Sequence, residues 1–468
     1  MENTREIILD TLLLLEKGEE LSHKLLRDVL DKYDYLDPRD KGFIKRVTEG
    51  TIERKLELDY YLNQYSSVPV SKMKPLIRCL LRMSLYQILF MDGTPDSAVC
   101  NEACKLASKR KFQNLKGFVN GVLRKIAREK GQLTLPDPQK EELEYLCIRY
   151  SMPEWITKMW LSEYGRELTE TMLKGLLEIH PVSLRVTAKV SESEEESMQK
   201  RLEEAGIRWE KNPYLPRMYF VTDLDGLGNL EDFQNGNLLV QDTSSVLAVK
   251  MAGIESGELV IDVCGAPGGK TIYASEMVGD AGKVVVGDVS EYKTEKIEEN
   301  IERVGCDNVE VRVWDGRIPC PEFFGKADVV LLDVPCSGLG VIGKKRDIKY
   351  RVNEAGLKEL EKLQKEIVDN AWRYVKPGGV LLYSTCTVRW QENRDMVSWI
   401  LQNLPFEPVS IEEELPQEIQ KAVQLERKAR AGKNLQKEEE ACMAQLLPGI
   451  LSADGFFFAK LRRKAEND

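Results

Sequence analysis

Histidine is almost missing from this chain of 468 residues; His23 and His180 are the only two. Neither sits in a motif, so imidazole is excluded as the working acid or base, and any catalysis falls to Cys, Asp, Glu, Lys or Tyr. No run of 18 apolar residues occurs, and the apolar stretch at Thr11 to Leu15 is short and followed by charges. The expectation is therefore no membrane span, no secretory signal and a cytoplasmic protein. The ten cysteines follow no repeating framework, which in a long chain without an export signal implies reduced thiols rather than a disulfide scaffold. Cys100 and Cys104 have neither a second pair nor a nearby His to complete a zinc site, so no metal is expected. Positive charge is in deficit as well. A net charge of −10 argues against a protein that coats nucleic acid indiscriminately, and leaves room only for a local basic face.

What is present centres on Glu258 to Thr271, ELVIDVCGAPGGKT. Leu259 to Cys264 reads as a buried parallel strand. Gly265, Gly268 and Gly269 surround Pro267, and a helix opens from Lys270. Strand, glycine turn and helix build a nucleotide-type pocket, because glycine lets backbone approach a ligand and a helix N-terminus favours negative charge. A carboxylate, such as the methionine end of S-adenosylmethionine, suits it as well as a phosphate. A Walker A loop needs Gly where Cys264 stands, and no G-x-G-x-x-G spacing occurs. An ordinary tight βα turn is the competing reading.

Residues 1–130 carry apolar stripes at helical spacing, such as Leu76, Ile77, Leu80, Leu81, Leu85, Ile88 and Leu89, and predict an all-helical domain. Between Lys105 and Lys130 lie Lys105, Lys109, Arg110, Lys111, Lys116, Arg124, Lys125, Arg128 and Lys130 against the single acid Glu129. A solvated helix face and a phosphate-binding surface both account for such a run. Residues 131–138 read as a linker, and 139–235 as a small α+β lobe. From 236 to 468 the pattern alternates: strands at 259–264, 283–287, 309–313, 328–332 and 379–384, helices at 270–278, 291–304, 354–375 and 390–403. That predicts a doubly wound α/β sheet, closed by edge strands at 406–411 and 455–461. Residues 412–447 read only as charged and helix-prone.

In such sheets ligands bind at the carboxyl ends of the strands. In order, those ends carry Cys264 with the glycine turn, then Asp288, where an acid grips ribose hydroxyls, then Asp315, within reach of an adenine amino group. Asp333-Val-Pro335-Cys336-Ser337-Gly338 and Ser384-Thr385-Cys386-Thr387 follow. Each cysteine taken singly is more often a small buried hydrophobe. Their turn-like and hydroxyl-flanked settings fit a thiolate nucleophile instead. One reaction uses all of these parts: a thiolate adds to C6 of a pyrimidine, C5 becomes nucleophilic enough to take a methyl group from a sulfonium, and the C5 proton and the thiol then leave. A carboxyl at N3 would absorb charge during the addition.

At these residues the chain resembles the RNA cytosine-C5 methyltransferases of the Sun/Nol1 type, and among them the bacterial branch acting on small-subunit (16S) ribosomal RNA. The resemblance is carried by Cys264-Gly-Ala-Pro-Gly-Gly-Lys270, Asp333-Val-Pro-Cys-Ser-Gly338 and Thr385-Cys386. It is supported by Gln241-Asp242-Thr-Ser-Ser245, Asp347-Ile-Lys-Tyr350 and Asp454-Gly-Phe-Phe457. Val99-Cys-Asn-Glu-Ala103 and Gly117-Phe-Val-Asn120 resemble a NusB-type RNA-binding domain. The resemblance implies an all-α NusB-like domain, an α+β lobe and a Rossmann-like methyltransferase domain. It implies S-adenosylmethionine held by Cys264, Gly265, Ala266, Pro267, Gly268, Gly269, Lys270, Asp288, Asp315 and Asp333. It implies Cys386 as nucleophile, Cys336 in product release, Asp333 against the cytosine, and Lys270 in the active site with its role open. Ribosomal RNA would be the partner of a monomer. The family's usual Ser after the nucleophile is Thr387 here, and its Arg-Arg-His-Pro before Asp347 is Gly343-Lys-Lys-Arg346. Lys344, Lys345, Arg346, Lys349 and Arg351 are expected to touch RNA together with the basic run at 105–130. Two other readings are an assembly or antitermination factor with a vestigial methyltransferase half, disfavoured by the two intact cysteines, and a P-loop ATPase, disfavoured by Cys264.

Overall fold

A computed structural model describes residues 3–18, 20–222, 226–429 and 436–465. The chain forms two compact units. One holds residues 1–162 together with 342–351, and the other holds 163–341 and 352–468. The expected linker at 131–138 thus lies inside the first unit, and the expected lobe at 139–235 is divided at Ser162.

The helical unit is built from helices Thr4–Lys17, Ser22–Lys32, Pro38–Glu53, Lys55–Tyr65, Pro75–Phe90, Asp96–Lys109 and Lys116–Glu129, followed by Glu142–Arg149. Its core is the apolar stripe of Pro75–Phe90, where Leu80, Leu81, Met83 and Leu85 are fully buried, packed against Ile8, Ile44, Leu62, Leu123 and Ile126. Gly50 lets two of these helices meet: a Cβ there would stand 2.0 Å from the Tyr86 ring. Residues 342–351, contributed from far along the sequence, are locked into this unit. Asp347 accepts the Ser22 N–H at 2.9 Å, the Ser22 hydroxyl at 2.6 Å and Arg351 Nε at 2.5 Å. Burial opposes the carboxylate, but these donors outweigh it and hold Asp347 below the ordinary range.

The second unit has two sheets. Strands β1 (Val182–Val186), β2 (Arg208–Lys211), β3 (Met218–Thr222) and β4 (Leu238–Val240) form an antiparallel sheet in the order β2-β3-β1-β4. The larger sheet holds β5 (Leu259–Asp262), β6 (Lys283–Asp288), β7 (Val309–Val313), β8 (Ala327–Asp333), β9 (Val375–Thr385), β10 (Phe406–Pro408), β11 (Met443–Leu446) and β12 (Phe456–Arg463). Its order is β10-β12-β9-β8-β5-β6-β7, with β11 on β12. β5 to β9 are mutually parallel, and β12 runs antiparallel to β9. β11 was not anticipated within 412–447, and residues 430–435 of that segment lie outside the described residues. Helices Gly269–Val278, Glu291–Val304, Glu354–Ala371 and Arg394–Asn403 follow β5, β6, β8 and β9. Central strands read as unbroken apolar runs because both faces are covered; Val260, Ile261, Val330 and Leu332 are fully buried. The strand order reverses beside β5, which opens a crevice at the carboxyl ends of β5 and β8.

Lys349 is the least expected occupant of a core. It is 1% exposed, donates to the Glu53 carbonyl at 2.9 Å, and burial pushes its amine down to about 7. Between that value and the 10.5 of an unfolded lysine, the folded state binds fewer protons, so this residue's contribution makes the unit more stable as pH rises through that window. Lys349→Met is therefore expected to unfold later than wild type near pH 7, with the gap closing toward pH 10.5. Denaturant midpoints followed by hydrogen exchange in Pro38–Glu53 test this; a gap that does not vary with pH contradicts it.

Candidate active site

The first wall of the crevice is the glycine turn. Gly268 has φ +102°, a conformation glycine adopts without strain, and caps Gly269–Val278. Gly265 sits so close to β6 that a Cβ would stand 2.2 Å from Val286 Cγ2. Beside Gly269, the buried Gln241 amide is half used. Its Oε1 accepts from Arg185 at 2.7 Å, while its Nε2 has no partner and lies 3.5 Å from where a Gly269 side chain would begin.

The expected acids differ in availability. Asp288 is buried; its oxygens accept the Ala266 N–H at 3.2 Å, the Val289 N–H at 2.7 Å and Lys293 Nζ at 2.8 Å. Lone pairs remain on this carboxylate for a ligand hydroxyl. Asp315 is clasped by its neighbour Arg317 at 2.6 Å, and a groove of about 490 Å³ opens beside it. Asp262, at the end of β5, was not anticipated. It is fully buried, Oδ2 takes the Thr271 hydroxyl at 2.7 Å, Oδ1 has no partner, and burial pushes its carboxyl up to about 7. Cys264 lies between these acids. Burial, then Asp288, Asp262 and Asp333, drive its thiol far up, so it lines the crevice as a neutral group and not as a nucleophile.

The second wall is reactive. Asp333 and Ser384 are register partners on β8 and β9, and Ser384 Oγ donates to Asp333 Oδ1 at 2.9 Å. Asp333 Oδ2 pairs with Lys270 Nζ at 2.7 Å, and that amine lies 5.2 Å from the Phe456 ring centroid. Burial works against the Lys270 charge, but Asp333, Asp262 and Cys386 overcome it and lift the amine above its ordinary value. Lys270 is thus a fixed cation that senses the Cys386 sulfur.

Beyond the strand tips, Cys336 and Cys386 meet with their sulfurs 3.3 Å apart. Ser337, Gly338, Leu339 and Gly340 are buried, as are Thr385, Thr387 and Val388, whereas both cysteines are partly exposed. The two cysteines are thus less buried than these neighbours in their loops. The hydrogen bond with Cys386, then burial, then the charges of Cys386 and Glu392 push the Cys336 thiol well up. Gly340 pins the loop: its N–H donates to the Cys386 carbonyl at 3.1 Å, its carbonyl accepts from Gly455 at 3.0 Å, and a Cβ there would stand 1.9 Å from the Gly455 oxygen.

A cavity of about 850 Å³ lies in the helical unit and has no part in this chemistry. Its charges satisfy one another: Arg82 pairs with Asp59 and Glu16, and Arg78 with Glu16. Among the described residues no cluster of His, Cys, Asp and Glu could hold a metal ion, and no helix is long and apolar enough to cross a membrane.

Residues 249–462 match the family described as 16S rRNA methyltransferase RsmB/F, and residues 2–128 match the NusB family. A Bacillus subtilis protein named probable ribosomal RNA small subunit methyltransferase B is 32% identical over 99% of both chains. The ribosomal RNA small subunit methyltransferase B of Cronobacter sakazakii is 30% identical over 96% of both. The chain belongs to the RsmB family. It is accordingly an S-adenosylmethionine-dependent methyltransferase with a NusB-like helical part. The crystal structure of PH0851 superposes with a TM-score of 0.78 and 26% identity, covering 99% of each chain.

The crevice fits the cofactor of this family. The unpartnered Gln241 donor beside a glycine-capped helix N-terminus suits a carboxylate, the spare lone pairs of Asp288 suit hydroxyls, and a neutral Cys264 lets a cationic sulfonium sit against the acids. Gly265→Ala, which must displace the turn from β6, is expected to weaken S-adenosylmethionine binding more than tenfold while the protein stays folded. Isothermal titration measures it; an unchanged affinity means the turn does not shape the cofactor site.

Proposed function

We propose that this protein methylates C5 of a cytosine in small-subunit ribosomal RNA through a covalent Cys386–C6 adduct. The observation that carries the reading is the pair of part-buried cysteines whose sulfurs lie 3.3 Å apart next to the Lys270–Asp333 ion pair. The small-subunit substrate follows the names of the relatives in Bacillus subtilis and Cronobacter sakazakii.

When bound, S-adenosylmethionine supplies an electrophilic methyl group. The protein's own groups do the rest. Cys386, as thiolate, adds to C6; the C6–S bond forms, and the electron pair of the C5–C6 double bond becomes available at C5. Lys270 supplies a positive charge, and with Asp333 it gives an incoming base one donor and one acceptor. C5 then bonds to the methyl carbon as the methyl–sulfur bond breaks. Once Cys386 is bonded to carbon, the interaction that most raised the Cys336 thiol is gone. Cys336 then releases its proton to solvent and, as thiolate, takes the C5 proton. The C5–C6 double bond reforms, the C6–S bond breaks, and Cys386 leaves as thiolate.

For RNA binding the basic residues divide sharply. Lys109 pairs with Glu6, Arg110 with Glu6 and Asp10, Lys105 with Glu102, and Lys130 with Asp96. Arg346 is spent on Glu49 and Glu53, Lys349 is buried, and Arg351 holds Asp347 and the Gly18 carbonyl. The expectation that these last three face RNA is therefore corrected: acids and carbonyls of the same unit consume them. Lys116, Arg124 and Arg128 are different. Lys116, Arg124 and Arg128 are all exposed. They lie four or eight residues apart on Lys116–Glu129 and so share one face, and Gly117 and Gly121 leave open space around them. This stripe is the phosphate-binding surface.

Cys386→Ala is expected to abolish transfer without trapping RNA, and Cys336→Ala to accumulate a protein–RNA adduct that survives denaturing gels; the reverse pattern would exchange the two roles. Charge reversal at Lys116, Arg124 and Arg128 is expected to weaken RNA binding and to reduce the dependence of log affinity on log salt by about one for each phosphate no longer neutralised. Equal affinity and slope in filter binding would remove the stripe from the interface.

A further inference from the structure

Neither Glu392 nor Asn393 belongs to a strand tip, yet these two consecutive residues hold both cysteine loops. Glu392 is fully buried. Its Oε1 accepts the Ser337 N–H at 2.8 Å and Gln364 Nε2 at 3.0 Å, and its Oε2 accepts the Ser337 hydroxyl at 2.5 Å. Its carbonyl takes the Tyr383 hydroxyl at 2.6 Å. Asn393 serves the other loop: Oδ1 accepts the Thr385 hydroxyl at 2.5 Å, and Nδ2 donates to the Thr387 carbonyl at 3.0 Å and to Gln445 at 2.7 Å. Ser337 and Thr387, each next to a cysteine, join their hydroxyls at 2.8 Å.

The two anchors are unequal. Cys386 follows directly on β9 and is also held through Gln445, whose Nε2 reaches the Thr387 carbonyl. Cys336 lies three residues past β8 in an extended loop. Two of the main hydrogen bonds next to it, at Ser337, end on one carboxylate, and a third, from Gln364 to the Pro335 carbonyl at 2.9 Å, comes from a side chain that leans on the same carboxylate. Burial raises the Glu392 carboxyl while Ser337 and Gln364 oppose it, and its charge lies on the Cys336 side of the pair, opposite the Lys270 charge that faces Cys386.

We propose that Glu392 is the positioning residue that clamps the Cys336 loop against Cys386, so that its loss leaves the adduct formed but slowly resolved. This rests on the covalent reading above. Glu392→Gln keeps the shape and removes the charge; Ser337→Ala removes one clasp from the other side. For either variant the expected result is turnover reduced on the order of 10²-fold, the cost of misplacing a reacting group by about 1 Å. The affinity for S-adenosylmethionine stays unchanged, the KM for RNA falls together with turnover because the covalent intermediate builds up, and a gel-stable RNA adduct accumulates that wild type does not show. Turnover like wild type, or loss of transfer and adduct together, overturns the proposal. If Glu392→Gln does not fold, Ser337→Ala alone decides by the same criteria. Cys336→Ala and Cys386→Ala run alongside: if Cys336→Ala traps nothing and Cys386→Ala still transfers methyl groups, the covalent reading fails and takes this proposal with it. If Cys336→Ala traps RNA and Glu392→Gln turns over normally, the clamp alone fails.

Discussion

The register between β8 and β9 is the constraint on which the rest depends. Asp333 faces Ser384 in that register, so the two chains leave the sheet side by side, and the loops that follow bring two sulfurs to 3.3 Å. A slip of one residue would turn every side chain to the opposite face, separating Asp333 from Lys270 and Cys386 from Cys336 at once. Much of the surrounding architecture serves to forbid that slip. β12 pairs with β9 over six residues, Gly340 and Gly455 stitch the loops backbone to backbone, and Tyr383 ties β9 to Glu392.

Much of this was legible in the sequence. Central strands of a parallel sheet are buried on both faces, so β5, β6, β8 and β9 stood out as apolar runs, and the strand-tip rule then placed Cys264, Asp288, Asp333 and Cys386 around one crevice. What stayed hidden has a common physical cause. Glu392 and Asn393 stand just before the helix Arg394–Asn403 in a charged, ordinary-looking stretch, and nothing in a linear pattern reveals that a carboxylate will be buried under two loops. β11, Met443-Ala-Gln-Leu446, sits after a charged helical stretch and is a strand only because β12 offers it an edge. Asp262 read as one more strand residue, although its carboxyl faces the glycine turn through Thr271.

The basic residues teach a different lesson. A charge run in the sequence has a sign but no partner, and in an acidic chain most cations find acids of their own unit. Lys109 and Arg110 belong to the run at 105–130 that was expected to touch RNA, and they pair with acids of the first helix. Arg346, Lys349 and Arg351 serve to fix residues 342–351 into the helical unit. The cations proposed for phosphate, Lys116, Arg124 and Arg128, are in no such pair with acids among the described residues of the unit and lie at i, i+8 and i+12 of one helix.

In the proposed reaction the order of the chemistry follows from the closeness of the sulfurs. Two unit negative charges 3.3 Å apart repel by roughly 5 kcal/mol even at an effective dielectric constant of about 20, so both thiols cannot be ionised together. The Lys270 cation near Cys386 and the Glu392 carboxyl near Cys336 both favour Cys386 as the sulfur that carries the single negative charge before the base enters. Bonding of that sulfur to carbon removes its charge, and the repulsion that kept Cys336 protonated disappears with it. The base for the second half of the reaction therefore becomes available only after the nucleophile of the first half has been consumed. In the proposed reaction a chain almost without histidine would obtain two-stage proton control in this way, from a pair of cysteines that share one charge and from the Lys270 and Glu392 side chains beside them.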